Sequence, residues 1–144
     1  MTEGRAIVIR DVTMEINIPE IVAEVTEAFM RYEKALGSND IDAIDTLFWD
    51  SPLTLRYGPN GTLLGHGAIS AFRRARDIPG ITRTLKNTVI TTFGRDLAVA
   101  NTESDRPNNP ATGRQSQTWV RMPEGWRIVS AHVSDYLPDA PAGT

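Results

Sequence analysis

Polar side chains that could bind a small molecule are concentrated in the last two predicted strands of the chain. Residues 113–122 read GRQSQTWVRM and residues 126–136 read WRIVSAHVSDY, with Pro-Glu-Gly between them. Successive strand residues face opposite sides of a sheet, and a hairpin at this turn predicts that Gln117 and His132 point the same way. Because a buried polar group without a partner is costly, the pattern predicts a ligand pocket that contains both side chains.

The composition disfavours several other kinds of site. The chain has 144 residues, a net charge of -3, no cysteine and two histidines, His66 and His132. These counts disfavour thiolate chemistry and a multi-histidine metal site. No Gly-rich phosphate loop, nucleophile elbow or HExxH motif occurs, and no basic stripe favours nucleic acid. We therefore expect one soluble, cytoplasmic domain with no metal, no cofactor, and no nucleic-acid or membrane partner.

The elements that must position the pocket follow from the spacing of apolar residues. Helical periodicity predicts helices over 19–36, 41–48 and 68–76, and a short strand over 53–58 lies between the last two. Later segments alternate as strands do; they are 81–93, 96–104, 113–122 and 126–136. Helices first and strands later predict an α+β fold, in which a curved antiparallel or mixed sheet wraps around the N-terminal helices. Such a cone leaves a cavity at its wide end.

The domain limits follow from where this pattern starts and stops. It begins just after Met14, so residues 1–13 are predicted to be a disordered or non-native extension, and Met14 is a candidate start. Residues 14–137 form the predicted single domain. The Pro-, Ala- and Gly-rich residues 138–144 offer nothing to bury and are predicted to be a flexible tail.

Several blocks of the sequence resemble one known family. They are AFMRYEKAL (28–36), LFWDSPLTLRYG (47–58), GHGAISAFRRAR (65–76), GRQSQTWVR (113–121) and WRIVSAHVS (126–134). With the W-x6-W-x5-H spacing of Trp119, Trp126 and His132, they resemble the AtzH-like family of the NTF2-like (SnoaL-like) superfamily. The resemblance covers roughly residues 14–136.

This resemblance implies a cone-shaped homodimer and an activity. The namesake of the family acts in cyanuric acid breakdown and converts 1,3-dicarboxyurea to allophanate with loss of carbon dioxide. A helix-1 tyrosine and a first-strand arginine serve catalysis in that family, and the matching positions here are Tyr32 and Arg56. An arginine in a cavity implies an anionic, carboxylate-bearing ligand, because its planar fork matches a carboxylate. A permanent cation cannot abstract a proton, which argues against ketosteroid isomerisation, where the matching strand position resembles an aspartate base.

Each of these residues also has a structural interpretation. By pattern alone Tyr32 is a core aromatic, and strand parity places Arg56 on a solvated face. Arg73 is either a second carboxylate clamp or part of a solvated charged face. Gln117 is an orienting group rather than a catalyst, since an amide does not titrate. His132 is either a ligand contact or a satisfied histidine between strands.

Two functions of different classes remain open from the sequence. The first is a cofactor-free decarboxylating hydrolase that acts on a small N-carboxylated, urea-like dianion, in which Tyr32 protonates nitrogen while Arg56 holds a carboxylate. Carbon dioxide leaves directly, or water attacks first. The second is a non-catalytic module that binds small carboxylates or assists assembly, for example as an accessory to an amidase enzyme, because NTF2-like folds serve many purposes.

Overall fold

A computed structural model describes residues 5–9 and 12–138. Its three helices and eight strands follow one another along the chain as β1 (Arg5–Ile9), β2 (Val12–Ile16), α1 (Pro19–Ser38), α2 (Ile41–Leu47), β3 (Leu55–Gly58), β4 (Gly61–Leu64), α3 (His66–Arg74), β5 (Thr84–Phe93), β6 (Leu97–Asp105), β7 (Thr112–Met122) and β8 (Gly125–Tyr136). Three helices together with one curved, mixed sheet confirm the predicted α+β class. In this part of the chain, no helix is long and apolar enough to cross a membrane.

The first two helices begin and end where local chemistry requires. Pro19 opens α1, where its missing N–H costs no hydrogen bond, and Asn39 ends the helix in the left-handed conformation. Asp40 caps α2 by accepting a hydrogen bond from the backbone N–H of Ala43. The buried stripe of α1 is Ile21, Val25, Ala28, Phe29, Tyr32, Ala35 and Leu36. Tyr32 therefore lies on the face of α1 that packs into the core.

The strands form one curved sheet in the order β1-β2-β5-β6-β7-β8-β3-β4. Neighbouring strands are antiparallel except β3 and β8, which run parallel. One face packs against the helices, and the apolar core there joins α1 and α2 to Ala98, Ala100, Trp119 and Ile128. We call this the concave face. Part of the candidate site lies here, because the parallel pairing places β3 directly beside β8, whose other neighbour is β7.

The N-terminal residues differ from the expectation. Residues 1–13 were predicted to be a disordered or non-native extension, yet β1 and β2 form a hairpin, and β2 continues the sheet through Ile16 beside Phe93. The Asn17 side chain fixes this junction by accepting a hydrogen bond from the backbone N–H of Thr92. Backbone pairing of this kind needs no apolar pattern, so periodicity does not reveal it. Apart from Pro138, the predicted tail over 138–144 lies outside the described residues.

Candidate functional site

A cavity of about 460 Å³ lies between the β3–β4 hairpin, the end of α3 and the open ends of β6, β7 and β8. Its wall is unusually rich in positive charge. Five arginines line it, with the Phe72 ring among them; they are Arg56, Arg76, Arg83, Arg106 and Arg114. A concave surface with converging cations attracts anions. Whether these cations are free to bind one depends on their partners.

Three of the lining arginines are already neutralised. Arg83 forms a two-pronged pair with Glu33, with its Nε 3.1 Å from Oε1 and its Nη2 2.6 Å from Oε2. Arg106 lies 3.1 Å from Asp135. Arg114 lies 3.4 Å from Glu103. These arginines tie elements of the fold together and leave little charge for a ligand.

The remaining cations have no acidic partner within residues 5–9 and 12–138. Among the described residues no carboxylate lies within salt-bridge distance of Arg56 or Arg76, nor of Arg73, which is buried just behind the lining. The guanidinium carbons of Arg56, Arg73 and Arg76 lie 5.2, 5.9 and 5.3 Å from the centre of the Phe72 ring. Three uncompensated charges around one ring are costly unless an anion joins them. The cluster has the electrostatics of an anion site.

Arg56 occupies a position where the usual strand pattern is inverted. Thr54 and Arg56 are buried, whereas Leu53 and Tyr57 are 72% and 46% exposed. The solvated placement that strand parity alone favours for Arg56 is therefore wrong, because the segment 54–57 turns Thr54 and Arg56 inward. Burial, followed by the neighbouring charge of Arg73, lowers the pKa of Arg56 below its usual range. The charged form of Arg56 is therefore destabilised in the folded protein, and a bound anion would stabilise it.

Tyr32 and Arg73 form a buried pair behind the cavity wall. Arg73 Nη2 donates a hydrogen bond of 3.2 Å to the Tyr32 hydroxyl oxygen. The ring of Tyr32 is fixed edge-on against Phe48, with centroids 6.0 Å apart. Arg73 is thus not part of a solvated charged face. On the same helix, Arg74 faces outward and pairs with Asp42 and Asp45.

Gln117 lies on the concave face in the same cross-strand row as Arg56. Arg56 pairs with Ala131 and Ala131 pairs with Gln117, so two strand spacings, about 10 Å, separate the first and last backbones. Gln117 is itself buried and is not among the residues that line the cavity, and neither is Tyr32. The carbonyl oxygen of Gln117 accepts a hydrogen bond of 3.1 Å from the Trp119 indole N–H. Its amide NH2 group is the part left for another contact.

His132 does not share this face, and the predicted pairing is wrong there. A bulge between Thr118 and Trp119 inserts Val129 into β8, so Trp119 still pairs with Ile128 but Gln117 pairs with Ala131. His132 consequently pairs with Ser116 and is exposed on the convex face of the sheet. There its ring meets Tyr57 edge-on at 5.7 Å. A single extra residue moved it away from the cavity.

The structure adds residues that the sequence analysis did not single out. Arg76 follows Phe72 by four residues, which is the spacing that brings side chains together on a helix. Spacing alone does not distinguish this contact from an arginine on a solvated charged face. Arg83 Nη2 also donates to Gln115 Oε1 at 3.1 Å, and the buried Nε2 of Gln115 has no partner among the described residues. Long-range pairings of this kind have no signature in spacing.

The Glu33–Arg83 pair gives a prediction about stability. Both side chains are only 10% exposed, so Glu33→Gln leaves a buried positive charge unpaired. We expect a loss of about 3–5 kcal/mol in the free energy of unfolding, measured by urea denaturation. The matched control is Glu20→Gln, which removes an exposed pair with Arg95 and should cost at most about 1 kcal/mol. Similar losses in both variants would contradict the assignment.

Comparisons with known proteins agree with this fold. The architecture is that of NTF2-like proteins: an NTF2-like superfamily protein from Salmonella enterica is 30% identical, with a TM-score of 0.65 over 87% of this chain and 97% of the other. The chain belongs to the AtzH-like family, whose model matches residues 14–138.

Two solved structures are more similar in sequence. One, a protein of unknown function from the DUF3225 family of Pectobacterium atrosepticum, is 55% identical, with a TM-score of 0.82 over 84% of this chain and 94% of that one. The other, a cystatin-like fold protein from Burkholderia xenovorans, is 47% identical, with a TM-score of 0.82 over 89% and 99% of the two chains. None of the curated proteins matches the chain significantly.

Proposed function

We propose that the protein is a cofactor-free decarboxylating hydrolase acting on a small N-carboxylated, urea-like dianion, in a reaction of the type that converts 1,3-dicarboxyurea to allophanate. The observation that supports this most directly is the unpaired arginine cluster around Phe72. A buried cation without a counter-ion is maintained at a cost in stability, which is characteristic of binding sites. The proposed reaction class is the one that the resemblance to the AtzH-like family implies.

In this proposal Arg56 holds the carboxylate that is lost. The bond between nitrogen and the carboxyl carbon breaks, its electron pair stays on nitrogen, and a proton must reach that nitrogen while carbon dioxide leaves. The Tyr32 hydroxyl oxygen accepts from Arg73, which leaves its O–H free to be the donor. Arg73 and Arg56 then stabilise the phenolate until water returns the proton. The same groups serve if water first adds to the carboxyl carbon.

The amide of Gln117 completes the proposed set of contacts. Its carbonyl is held by Trp119, so its NH2 group is the part that orients the urea oxygen. His132 has no role in this proposal, because it lies on the convex face.

The test is to incubate the purified protein with 1,3-dicarboxyurea and to follow carbon dioxide and allophanate. Accumulation of both, above the uncatalysed rate, is the expected result. The alternative function is a carboxylate-binding module, and it predicts a ligand-induced rise in melting temperature without turnover. Binding without release of carbon dioxide would overturn the proposed activity in favour of that alternative.

A glycine next to Arg56 offers a milder test of the same site. A Cβ on Gly58 would lie 2.8 Å from Arg56 Nη1, so Gly58→Ala must displace the flexible end of Arg56. We expect little change in the free energy of unfolding, but a loss of roughly 100-fold in kcat/KM, because misplacing a binding group by about 1 Å is that costly. Gly67→Ala is the matched control, since nothing lies near its Cβ position. Equal activity in the two variants would contradict the role of Arg56.

A further inference from the structure

One anionic group of the proposed substrate has no assigned partner at the cavity wall. Arg56 holds the carboxylate that is lost, and Arg73 is buried behind the lining, where it donates to Tyr32. His132, predicted to share the work of binding, is on the opposite face of the sheet. A dianion therefore needs another cation that the cavity itself exposes.

Arg76 meets that requirement on position, charge and rigidity. It lines the same cavity as Arg56. Its guanidinium carbon lies 5.3 Å from the centre of the Phe72 ring, against which Arg56 also packs at 5.2 Å. Its backbone N–H donates to the carbonyl of Arg73 at 3.2 Å, which anchors it to the last turn of α3. The ring limits the freedom of both guanidinium groups and keeps them at one place.

The balance of charges in the cavity favours a ligand with a second anionic group. Of the cavity arginines, Arg83, Arg106 and Arg114 are each paired with a carboxylate. Within the part of the chain that the structure describes, no carboxylate pairs with Arg76. A monoanion on Arg56 would leave Arg76 uncompensated, whereas a compact dianion neutralises both cations at once. The repulsion between Arg56 and Arg76 therefore favours ligands with two negative charges over ligands with one.

We propose that Arg76 is a specificity-determining residue that binds the second anionic group, so that the site selects small dianions over monoanions of the same size. This inference rests on the proposed function for the position of the first carboxylate, but it concerns binding alone. It therefore applies to substrates and to inert analogues.

The experiment compares malonate with its monoamide, malonamate, which has nearly the same shape and one charge fewer. Affinities are measured by isothermal titration calorimetry at low ionic strength, because screening weakens the effect. The wild-type protein should bind malonate about tenfold or more tightly than malonamate. Arg76→Gln should lower the affinity for malonate by roughly tenfold and change the affinity for malonamate by less than about threefold, so that the preference for malonate disappears.

Two further variants keep the result interpretable. Arg74→Gln is the matched control on the same helix, since Arg74 is exposed and pairs with Asp42 and Asp45; it should retain the preference for malonate. Arg56→Gln should weaken both ligands. The inference would be overturned if Arg76→Gln lost affinity for both ligands equally, or lost affinity for neither. It would also be overturned if the wild-type protein showed no preference for malonate.

The outcome is separable from that of the proposed function. Malonate is a shorter dianion that has no bond between nitrogen and a carboxyl carbon to break, so its binding does not depend on turnover. A protein that prefers malonate through Arg76 but releases no carbon dioxide from dicarboxyurea retains this inference and loses the proposed activity.

Discussion

Replacing Arg56 with glutamine should abolish most activity and leave the protein as stable as before or more stable. Burial and the charge of Arg73 already lower the pKa of Arg56, so the folded protein holds this charge at a cost. The variant relieves that cost, and the free energy of unfolding in low-salt buffer without anions should stay the same or rise. Loss of a desolvated charge partner for the substrate carboxylate costs about 2–5 kcal/mol. That corresponds to a fall of about 30-fold to several thousand-fold in kcat/KM.

The informative control is a different arginine of the same cavity. Arg83→Gln removes a positive charge too, but it leaves Glu33 buried and unpaired, so it should lower the free energy of unfolding. Urea denaturation should show that Arg83→Gln lowers the free energy of unfolding and that Arg56→Gln does not. Steady-state kinetics on the same two variants reports the change in activity. A clearly destabilised Arg56→Gln protein would mean that Arg56 is a structural residue and that the anion site lies elsewhere.

Most of the fold was predictable because the spacing of apolar residues along the chain indicates which side of each helix or strand is buried. The stripe over 19–36 and the alternation over 81–136 indicate which side of each element meets the core, and the helices and strands lie close to those ranges. Proline, glycine and the Asp40 cap mark the ends through local backbone chemistry. None of this required knowledge of distant contacts.

The site was less predictable because it departs from the local rules in two places. At and just before β3 the apolar residues Leu53 and Tyr57 face outward and Arg56 faces inward, so parity alone gives the wrong side. In β8 the extra residue Val129 reverses the parity of every residue after it, and no glycine or proline announces the bulge. Departures from pattern of this kind concentrate where function overrides packing.

The ion pairs could not be predicted from the sequence, for a different reason. Arg83 and Glu33 are 50 positions apart, and nothing in their neighbourhoods distinguishes Arg83 from Arg76. The difference between a structural and a ligand-binding arginine here is the presence of a carboxylate in space. Only the three-dimensional arrangement contains that information.

Replacing Tyr32 with phenylalanine should lower kcat by about two to four orders of magnitude, the usual contribution of a general acid. The ring stays against Phe48, so the core is retained. The lost hydroxyl removes the acceptor of Arg73 Nη2, and the free energy of unfolding should fall by only about 1–3 kcal/mol. Tyr57→Phe is the matched control, since that tyrosine is exposed on the convex face beside His132.

The division of the effect between kcat and KM decides what Tyr32 does. A proton donor acts only while the bond to nitrogen breaks, so its loss lowers kcat and changes KM little. A residue that merely holds Arg73 in place would act through substrate binding, and its loss would raise KM with kcat preserved. Tyr32→Phe with a raised KM and a wild-type kcat would therefore make Tyr32 a positioning residue, and the proton would have to come from water in the cavity.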